Sequence, residues 1–205
     1  IYNLVESMGH KNILDIGCAS GDFFYFLPHD DVDGLGIDIS EELIQAAIDK
    51  NNNKKISFRC VDLLKDRDLK SNKYDLITIL GTLLTIEDHK SFLDPVFEMA
   101  PKQIIINDFF SHDGIDIRCG FKRANSVEQD FSYAYNIRSL DTINGYLSTK
   151  SDYTVQIEPY NLSTRLVRNN DDAMRNYHVD LGGQDVLIQG MNLIVYGYNV
   201  FLNRK

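Results

Sequence analysis

Three aspartates stand at or near the ends of successive apolar runs, where side chains could bind a polar ligand. Asp15 lies in the first run, Asp38 ends the second and Asp62 follows the third. A carboxylate accepts hydrogen bonds from ammonium, hydroxyl and amino groups. Each acid alone could serve only its own turn or loop. Their similar placement at three successive strand ends favours a shared role over three separate ones.

A turn of small residues separates the first run from a helical segment. It begins at Gly17 and ends at Gly21, with Ala19 between them. Small residues let the backbone approach a ligand closely, and the following helix offers N–H donors. A dinucleotide-binding turn would carry G-x-G-x-x-G, whereas Asp15 before this turn suits a ligand with an ammonium group. We interpret Cys18 as a small turn residue rather than a nucleophile, because no histidine lies near it in the sequence.

Short apolar runs alternate with segments of helical periodicity through the first half of the chain. This alternation predicts a parallel sheet with crossover helices, and open sheets of this kind bind ligands beyond the carboxyl ends of their strands. The predicted strands are Asn12–Ile16, Gly34–Ile39, Ile56–Val61, Tyr74–Leu80 and Gln103–Asn107, and the predicted helices are Asp22–Leu27, a segment after Ser40, and a segment around His89–Ala100. Such a sheet would bring the glycine turn and the three aspartates to one edge.

Two irregular stretches interrupt this alternation in the second half of the chain. Residues 109–135 are polar and aromatic without a clear period, and residues 161–190 contain a Gly182-Gly183 pair that predicts a hairpin. The remaining predicted elements are a helix at Ser139–Leu147, a sixth strand at Tyr153–Glu158 and a final strand at Leu193–Leu202. The sequence therefore predicts a single domain over residues 1–205 with two insertions, about 109–135 and 161–190.

The amino-acid composition indicates which partners and which cellular compartment suit this protein. The 205 residues carry a net charge of −9, which disfavours binding to nucleic acid. Three cysteines without paired spacing favour a reducing cytoplasm over a disulfide framework, and no Cys/His cluster suggests a metal site. No apolar run approaches the roughly 20 residues that span a bilayer. The chain opens at Ile1 rather than Met, so we expect a preceding segment.

The glycine turn resembles motif I of the class I S-adenosylmethionine-dependent methyltransferases, a D-x-G-x-G-x-G pattern. Asp15 and Gly17 match its start, Ala19 replaces the middle glycine and Gly21 matches the last. The resemblance extends over roughly residues 10–108. It implies an α/β, Rossmann-like fold with a mostly parallel seven-stranded sheet and an antiparallel last strand. It also implies S-adenosylmethionine as the cofactor and S-adenosylhomocysteine as its product.

The same resemblance assigns parts of the cofactor to individual residues. Asp38 would accept hydrogen bonds from the ribose hydroxyls, and Ile39 would lie against the adenine. Asp62 would face the adenine amino group, with Leu63 supplying a backbone N–H and an apolar face. The complete predicted set of cofactor-binding residues is Asp15, Gly17, Cys18, Ala19, Gly21, Asp38, Ile39, Asp62, Leu63, Leu80 and Gly81, of which the last two would line the methionine part.

Catalytic candidates follow the fourth and fifth predicted strands. Asp108 and His112 come directly after the fifth, and His89 follows the fourth. Methyl transfer to a hydroxyl requires a base, which His or Asp can supply. Either histidine could equally be an ordinary surface residue. We expect a reaction without a metal ion.

The tail offers a hint about the methyl acceptor. The segment from Arg175 to Leu193 resembles the hairpin ending of bacterial methyltransferases encoded with surface-polysaccharide genes. This favours a small-molecule acceptor, namely a hydroxyl of a sugar or of a capsule or surface-polysaccharide precursor. Two alternatives stay open: another small molecule such as an amine, lipid or polyketide, or a non-enzymatic protein that binds S-adenosylmethionine.

Overall fold

A computed structural model describes residues 9–27, 31–66, 68–112, 114–121, 133–160, 177–189, 193–194 and 196–205. Parts of both predicted insertions, and most of the basic residues in them, lie outside these ranges. The strands are β1 (Asn12–Ile16), β2 (Asp33–Asp38), β3 (Ile56–Cys60), β4 (Leu76–Leu80), β5 (Gln103–Ser111), β6 (Ile117–Phe121), β7 (Tyr133–Ser139), β8 (Tyr153–Pro159), β9 (Tyr177–Leu181), β10 (Gln184–Gln189), β11 (Leu193–Ile194) and β12 (Tyr196–Arg204). The α-helices are α1 (Asp22–Phe26), α2 (Glu41–Lys50), α3 (His89–Glu98) and α4 (Leu140–Leu147), and short 3-10 helices lie at Asp68–Ser71 and Leu83–Thr85.

The main sheet has the strand order β3-β2-β1-β4-β5-β12-β8. Neighbours among β1 to β5 are parallel, and β12 runs antiparallel to both β5 and β8. The predicted Rossmann-like sheet with an antiparallel last strand is therefore confirmed.

Two features of the sheet differ from the prediction. β6 and β7 extend it to nine strands, because β7 pairs with β5 where β5 runs past the end of β4. Their sequence has no clear apolar period, so periodicity does not reveal them. The final strand begins at Tyr196 instead of Leu193, because Leu193 and Ile194 pair with β10.

Apolar residues on both faces hold the central strands in place. Ile104, Ile105 and Ile106 of β5 are fully buried, as expected for a parallel strand covered on two sides. Alternate residues face different clusters, since Ile104 and Ile106 pack with α3 and α4 while Ile105 packs with Phe23 of α1. Because both faces of the sheet are covered in this way, a ligand would approach it at the ends of the strands rather than at a face.

Side-chain caps begin three of the helices at defined residues. The hydroxyl of Ser40 accepts from the Leu43 N–H at the start of α2, as the sequence predicts. Asp88 caps α3, and Ser139 caps α4. Because α2 and α3 begin just beyond β2 and β4, these caps fix the connections at the carboxyl edge.

A separate three-stranded sheet contains the predicted hairpin. β9 and β10 are antiparallel neighbours joined by Gly182 and Gly183, both at positive φ (65° and 86°). The Gly183 N–H donates to Asp180 Oδ1 at 2.8 Å, which closes the turn. Among the described residues, no helix is long and apolar enough to cross a membrane.

Candidate functional site

The turn after β1 has a backbone shape that only glycine fits at its first position. Gly17 has φ of +74°, and its N–H donates to the Ile37 carbonyl of β2 at 2.8 Å. A Cβ at this position would lie 2.0 Å from Oγ1 of Thr82. The Thr82 hydroxyl itself donates to the Ile16 carbonyl at 3.2 Å, so the loop after β4 packs directly on the turn. Sequence reasoning missed Thr82, although it directly follows the predicted Gly81.

The remainder of the turn points its backbone toward Asp38. Ala19 adopts φ of +45°, a left-handed conformation that glycine would adopt more easily. Its N–H donates to Asp38 Oδ2 at 3.0 Å. Gly21 also has positive φ (+73°), and a Cβ there would meet Phe58 at 2.9 Å. The small residues of the motif therefore serve a tight fit between the turn and the strands beside it.

Asp38 connects the glycine turn to the start of α2. Its Oδ1 accepts from the Ser40 N–H at 2.9 Å, while Oδ2 accepts from Ala19. A carboxylate has about four acceptor positions, so each oxygen retains capacity for a ligand hydroxyl. Ile39, directly after it, is 77% exposed and offers a bare apolar surface at the same strand end.

Asp15 is buried under the turn rather than exposed at its surface. The Thr78 hydroxyl of β4 donates to Asp15 Oδ1 at 2.7 Å. Burial raises the pKa of Asp15 to about 7, the Thr78 hydrogen bond opposes this rise, and the charge of Asp38 adds to it. The expected contact with a ligand ammonium group stays a prediction. It requires the ionised form of this carboxyl.

Cys18 is a buried thiol in the turn. Burial, together with the charges of Asp15 and Asp38, raises its pKa to about 12. The thiolate needed for nucleophilic attack is therefore disfavoured, which agrees with the interpretation of Cys18 as a turn residue.

The segment after β3 buries one of its two leucines and exposes the other. Asp62 Oδ1 accepts from the Leu64 N–H at 3.0 Å, and Oδ2 forms an ion pair with Lys65 at 2.9 Å that lowers the Asp62 pKa. Leu63 is buried in the main core, and its expected backbone N–H and apolar contact with the adenine stay a prediction. Leu64 is 58% exposed and is the leucine that presents an apolar surface there.

The end of β4 leaves room for a ligand. The Gly81 N–H donates to the Asn107 carbonyl at 2.8 Å, and a Cβ at Gly81 would have no atom within 4 Å. Leu80 is half-buried and packs against the cluster of Ile13 and Leu76. The open space above Gly81 lies beside β1, whose turn holds Gly17, Cys18, Ala19 and Gly21.

These observations fit the chemistry of S-adenosylmethionine. Asp38 retains acceptor capacity for hydroxyls, Ile39 and Leu64 expose apolar side chains for a flat ring, and Gly81 leaves open space. The side chains at these strand ends therefore suit the chemistry of the ribose and adenine parts. Asp15 would hold the ammonium end only after it loses its proton.

Asp108 lies in a different environment from the one the sequence suggests. It is 4% exposed, and its oxygens accept from the N–H groups of Leu84 (2.9 Å) and Phe109 (2.8 Å). Burial raises its pKa to about 6, although the backbone bonds and Arg138 oppose the rise. Oδ2 holds the loop after β4 and Oδ1 accepts from the next residue of β5, which favours a positioning role for Asp108 over that of a base facing an acceptor.

Arg138 at the end of β7 supports the same loop. This buried guanidinium donates to the carbonyls of Leu83 (2.9 Å) and Glu87 (2.9 Å), and also to that of Ile86. Together, Asp108 and Arg138 fix the segment that follows Gly81. Sequence reasoning missed Arg138, because nothing in the irregular stretch before it marks a buried arginine.

His89 is the first residue of α3 and lines a cleft of its own. Its ring packs edge-on against Tyr146, with centroids 5.4 Å apart. Within the described ranges its Nε2 has no hydrogen-bond partner. Burial and the charges of Arg138 and Lys90 lower the pKa of His89, so it is neutral at pH 7. The other residues lining this cleft are Glu87, Asp88, Lys90, Asp116, Ile117, Arg118, Asn136, Ile137 and Arg138.

His112 lies in a second, aromatic cavity beyond the carboxyl end of β5. The Tyr198 hydroxyl contacts both ring nitrogens of His112, at 3.1 Å from Nδ1 and closer still to Nε2. The Tyr196 ring packs edge-on against the imidazole, with centroids 4.5 Å apart. The cavity has a volume of about 430 Å³ and is lined by His112, Pro159, Tyr160, His178, Asp185, Val186, Leu187, Tyr196, Gly197 and Tyr198.

The three catalytic candidates are therefore separated. His112 and His89 line different cavities, and Asp108 is buried beneath the Leu83–Thr85 helix. Sequence reasoning did not single out Tyr160, Tyr196 or Tyr198, although the alternation Tyr-Gly-Tyr in a predicted strand places both rings on one face.

Comparisons with known proteins agree with this architecture. The model of a family described as "Methyltransferase domain" matches residues 8–178. No curated protein matches the chain. A structure from Listeria monocytogenes, described as an S-adenosylmethionine-dependent methyltransferase, superposes with a TM-score of 0.67 at 12% identity, covering 100% of this chain and 98% of that one.

Two further solved structures have the same fold. An S-adenosylmethionine-dependent methyltransferase from Methanosarcina mazei superposes with a TM-score of 0.67 at 14% identity, covering 100% of this chain and 98% of that one. The N-terminal domain of EvdMO1, solved in the presence of S-adenosylhomocysteine and D-fucose, superposes with a TM-score of 0.65 at 13% identity, covering 99% and 80%. At these identities the structures establish the fold alone. The family match over residues 8–178 goes further, and the chain belongs to the methyltransferase domain family.

Proposed function

We propose that this protein transfers the methyl group of S-adenosylmethionine to a hydroxyl of a small molecule. The cofactor binds at the ends of β1 to β4, and the acceptor binds in the aromatic cavity beside β5 and β12. The observation that carries the proposal is the contact between His112 and Tyr198 in that cavity. An imidazole held by a tyrosine at the carboxyl edge of the sheet is positioned to act as a base.

The cofactor supplies a methyl carbon already activated by its sulfonium group. A hydroxyl is a weak nucleophile, so it must lose its proton as the new carbon–oxygen bond forms and the carbon–sulfur bond breaks. His112 accepts that proton, and Tyr198 orients the imidazole. Asp108 and Arg138, both buried, each hydrogen-bond the loop after Gly81 and keep it in position.

We propose a sugar hydroxyl, in a free sugar or a capsule or surface-polysaccharide precursor, as the acceptor. Tyrosine rings with polar tips offer an apolar face and hydrogen-bonding groups together, which matches the two kinds of surface on a sugar ring. The presence of D-fucose with the EvdMO1 domain is in line with this choice. The net charge of −9 disfavours nucleic acid. We further propose that residues 1–205 form one domain that works in the cytoplasm.

An acceptor screen with methyl-labelled S-adenosylmethionine tests the proposal. We expect label to enter neutral sugars, oligosaccharides or nucleotide-sugars, and not amines or nucleic acids. Label in amines alone would contradict the hydroxyl assignment. Label in none of these compounds would contradict the proposed acceptor class.

The role of His112 is tested by His112→Ala. Loss of a general base reduces turnover by about 10²- to 10⁴-fold, while the affinity for S-adenosylhomocysteine stays within twofold. His10→Ala is the matched control, because His10 hydrogen-bonds Gln103 at the opposite edge of the sheet. Full activity of the His112 variant together with an inactive His89→Ala would assign the base to the other cleft.

A further inference from the structure

We infer that the β9–β10 hairpin recognises the acceptor, with His178 and Asp185 binding hydroxyls of a neutral sugar ring that lies against Tyr196. This inference rests on the proposed function and adds the element that selects the substrate. The register of the hairpin, its attachment and the chemistry of the cavity each support it.

The strand register puts the relevant side chains on one face of the hairpin. His178 is directly opposite Leu187, and Asp185 is directly opposite Asp180. Directly paired residues of antiparallel strands point to the same side. His178, Asp185 and Leu187 line the cavity that contains His112, and Val186 from the other face lines it as well. The hairpin therefore contributes two polar side chains, His178 and Asp185, to the proposed acceptor site, whereas Gln184 is not among the residues that line the cavity.

An apolar contact attaches the hairpin to the rest of the protein. Leu187 packs against a small cluster whose buried members are Leu84 and Ile137, with Phe109 and Tyr135 beside them. Leu84 belongs to the 3-10 helix that follows Gly81 and Thr82. The hairpin is thus held against the loop that completes the cofactor site, so the recognition residues keep a fixed position relative to the methyl donor.

The cavity combines hydrogen-bonding side chains with aromatic ones. A carboxylate such as Asp185 accepts hydrogen bonds from two neighbouring hydroxyls, and the imidazole of His178 can donate or accept one. Tyr160, Tyr196 and Tyr198 line the same cavity. A volume of about 430 Å³ is within the range of small-molecule sites. The negative charge of Asp185 favours a neutral ring over a phosphorylated one at this point.

Binding of defined sugars tests the inference before the natural acceptor is identified. Saturation-transfer NMR with S-adenosylhomocysteine present would be recorded for D-fucose, for the methyl glycosides of glucose, galactose and mannose, and for glucose 6-phosphate. We expect transfer to at least one neutral sugar and none to the phosphate. Transfer to no neutral sugar, or to glucose 6-phosphate alone, overturns the inference.

Variants of the hairpin identify the recognition residues. Asp185→Asn and His178→Ala should each weaken binding of that sugar at least tenfold, while Gln184→Ala on the opposite face leaves it within twofold. Equal melting temperatures show that the hairpin variants remain folded. The inference is contradicted if sugar binding is unchanged in both the Asp185→Asn and the His178→Ala variants. It is also contradicted if Gln184→Ala weakens sugar binding as much as they do.

Calorimetry with S-adenosylhomocysteine in the same samples separates this inference from the proposed function. Failure of the wild-type protein to bind it would overturn the proposed methyltransferase reaction. If the hairpin variants bind S-adenosylhomocysteine and transfer methyl groups as well as the wild-type protein does, the hairpin assignment alone would be overturned.

Discussion

The proposed cofactor half and the proposed acceptor half of this protein differ in what forms them. At the ends of β1 to β4 the backbone makes the site: Gly17 and Ala19 adopt positive φ, and Asp38 accepts from two main-chain N–H groups. At β5 and β12 side chains make it, chiefly His112 and Tyr198. A site made of backbone constrains residue types at fixed spacing, so it is visible in one sequence. A pocket assembled from side chains far apart in the chain is not.

We expect the largest effect on stability and ligand affinity from adding one methyl group to the glycine turn of the cofactor half. Gly17→Ala would place a Cβ 2.0 Å from Thr82 Oγ1 at a positive φ. We expect the free energy of unfolding to fall by about 2–4 kcal/mol from overpacking and backbone strain. Chemical denaturation measures this, and calorimetry should show S-adenosylhomocysteine affinity reduced about 100-fold.

Two variants control this experiment. Gly145→Ala makes the same change in α4, where a Cβ would meet nothing within 4 Å, and should raise stability by about 0.5–1 kcal/mol. Adding Thr82→Ala to Gly17→Ala should restore part of the loss. Equal stability of the Gly17 and Gly145 variants would refute the tight fit of the turn.

The next effect concerns the acid that joins the turn to α2. Asp38→Ala removes the acceptor for the Ala19 and Ser40 N–H groups as well as the proposed ribose contact. Each lost bond of this kind costs about 1–3 kcal/mol, so calorimetry should show S-adenosylhomocysteine affinity reduced by tens of fold. Asp33→Ala, at the amino end of the same strand, should leave it unchanged. Unchanged affinity in the Asp38 variant would remove this residue from the site.

A smaller effect separates the acceptor half from the cofactor half. Tyr198→Phe removes the hydroxyl that contacts His112 but keeps the ring. We expect kcat to fall about tenfold, and its pH profile to shift, with S-adenosylhomocysteine affinity unchanged. Tyr153→Phe loses a hydrogen bond to the Pro101 carbonyl at the opposite edge and should leave kcat unchanged. An equal loss in both variants would indicate general destabilisation instead of a role at the site.

The smallest effect is the pH dependence of cofactor binding. The Asp15 pKa of about 7 means that its ionised fraction rises with pH through neutrality. A ligand ammonium group prefers the carboxylate, so S-adenosylhomocysteine affinity should rise about fourfold from pH 6.5 to 8. Asp15→Asn should abolish this rise. A rise that persists in the variant would assign it to another group.

The raised pKa of Asp15 also predicts that the stability of the ligand-free protein falls with pH, whereas its affinity for S-adenosylhomocysteine rises. The unfolded chain loses the Asp15 proton near 3.8, whereas the folded protein keeps it to about 7. The folded state therefore binds more protons between these values, and the free energy of unfolding falls as pH rises through this window. Asp15→Asn should flatten that part of the profile, as measured by denaturation without ligand.

Most of the sheet and the glycine turn could be predicted, because they depend on local periodicity and small residues. Three particulars could not. Leu63 turns into the core and exposes Leu64, since the chain changes direction after β3. Asp108 meets the Leu84 N–H only after β5 passes the end of β4. Arg138 hydrogen-bonds carbonyl groups that lie about 50 residues earlier in the chain; the Leu83 carbonyl, for example, is 55 residues away. Such contacts depend on tertiary geometry that one sequence does not encode in a short pattern.

The position of β12 also sets an order of assembly. It follows every other strand in the chain, yet it lies between β5 and β8, and in the described part of the protein β8 pairs with it alone. As the polypeptide leaves the ribosome, β1 to β5 can associate early, whereas β8 must wait for β12. Until then the edge of β5 is unpaired and open to pairing with other chains. The nascent protein would therefore form the proposed methyl-donor region before the proposed substrate cavity, and would be most exposed to aggregation or chaperone binding in between.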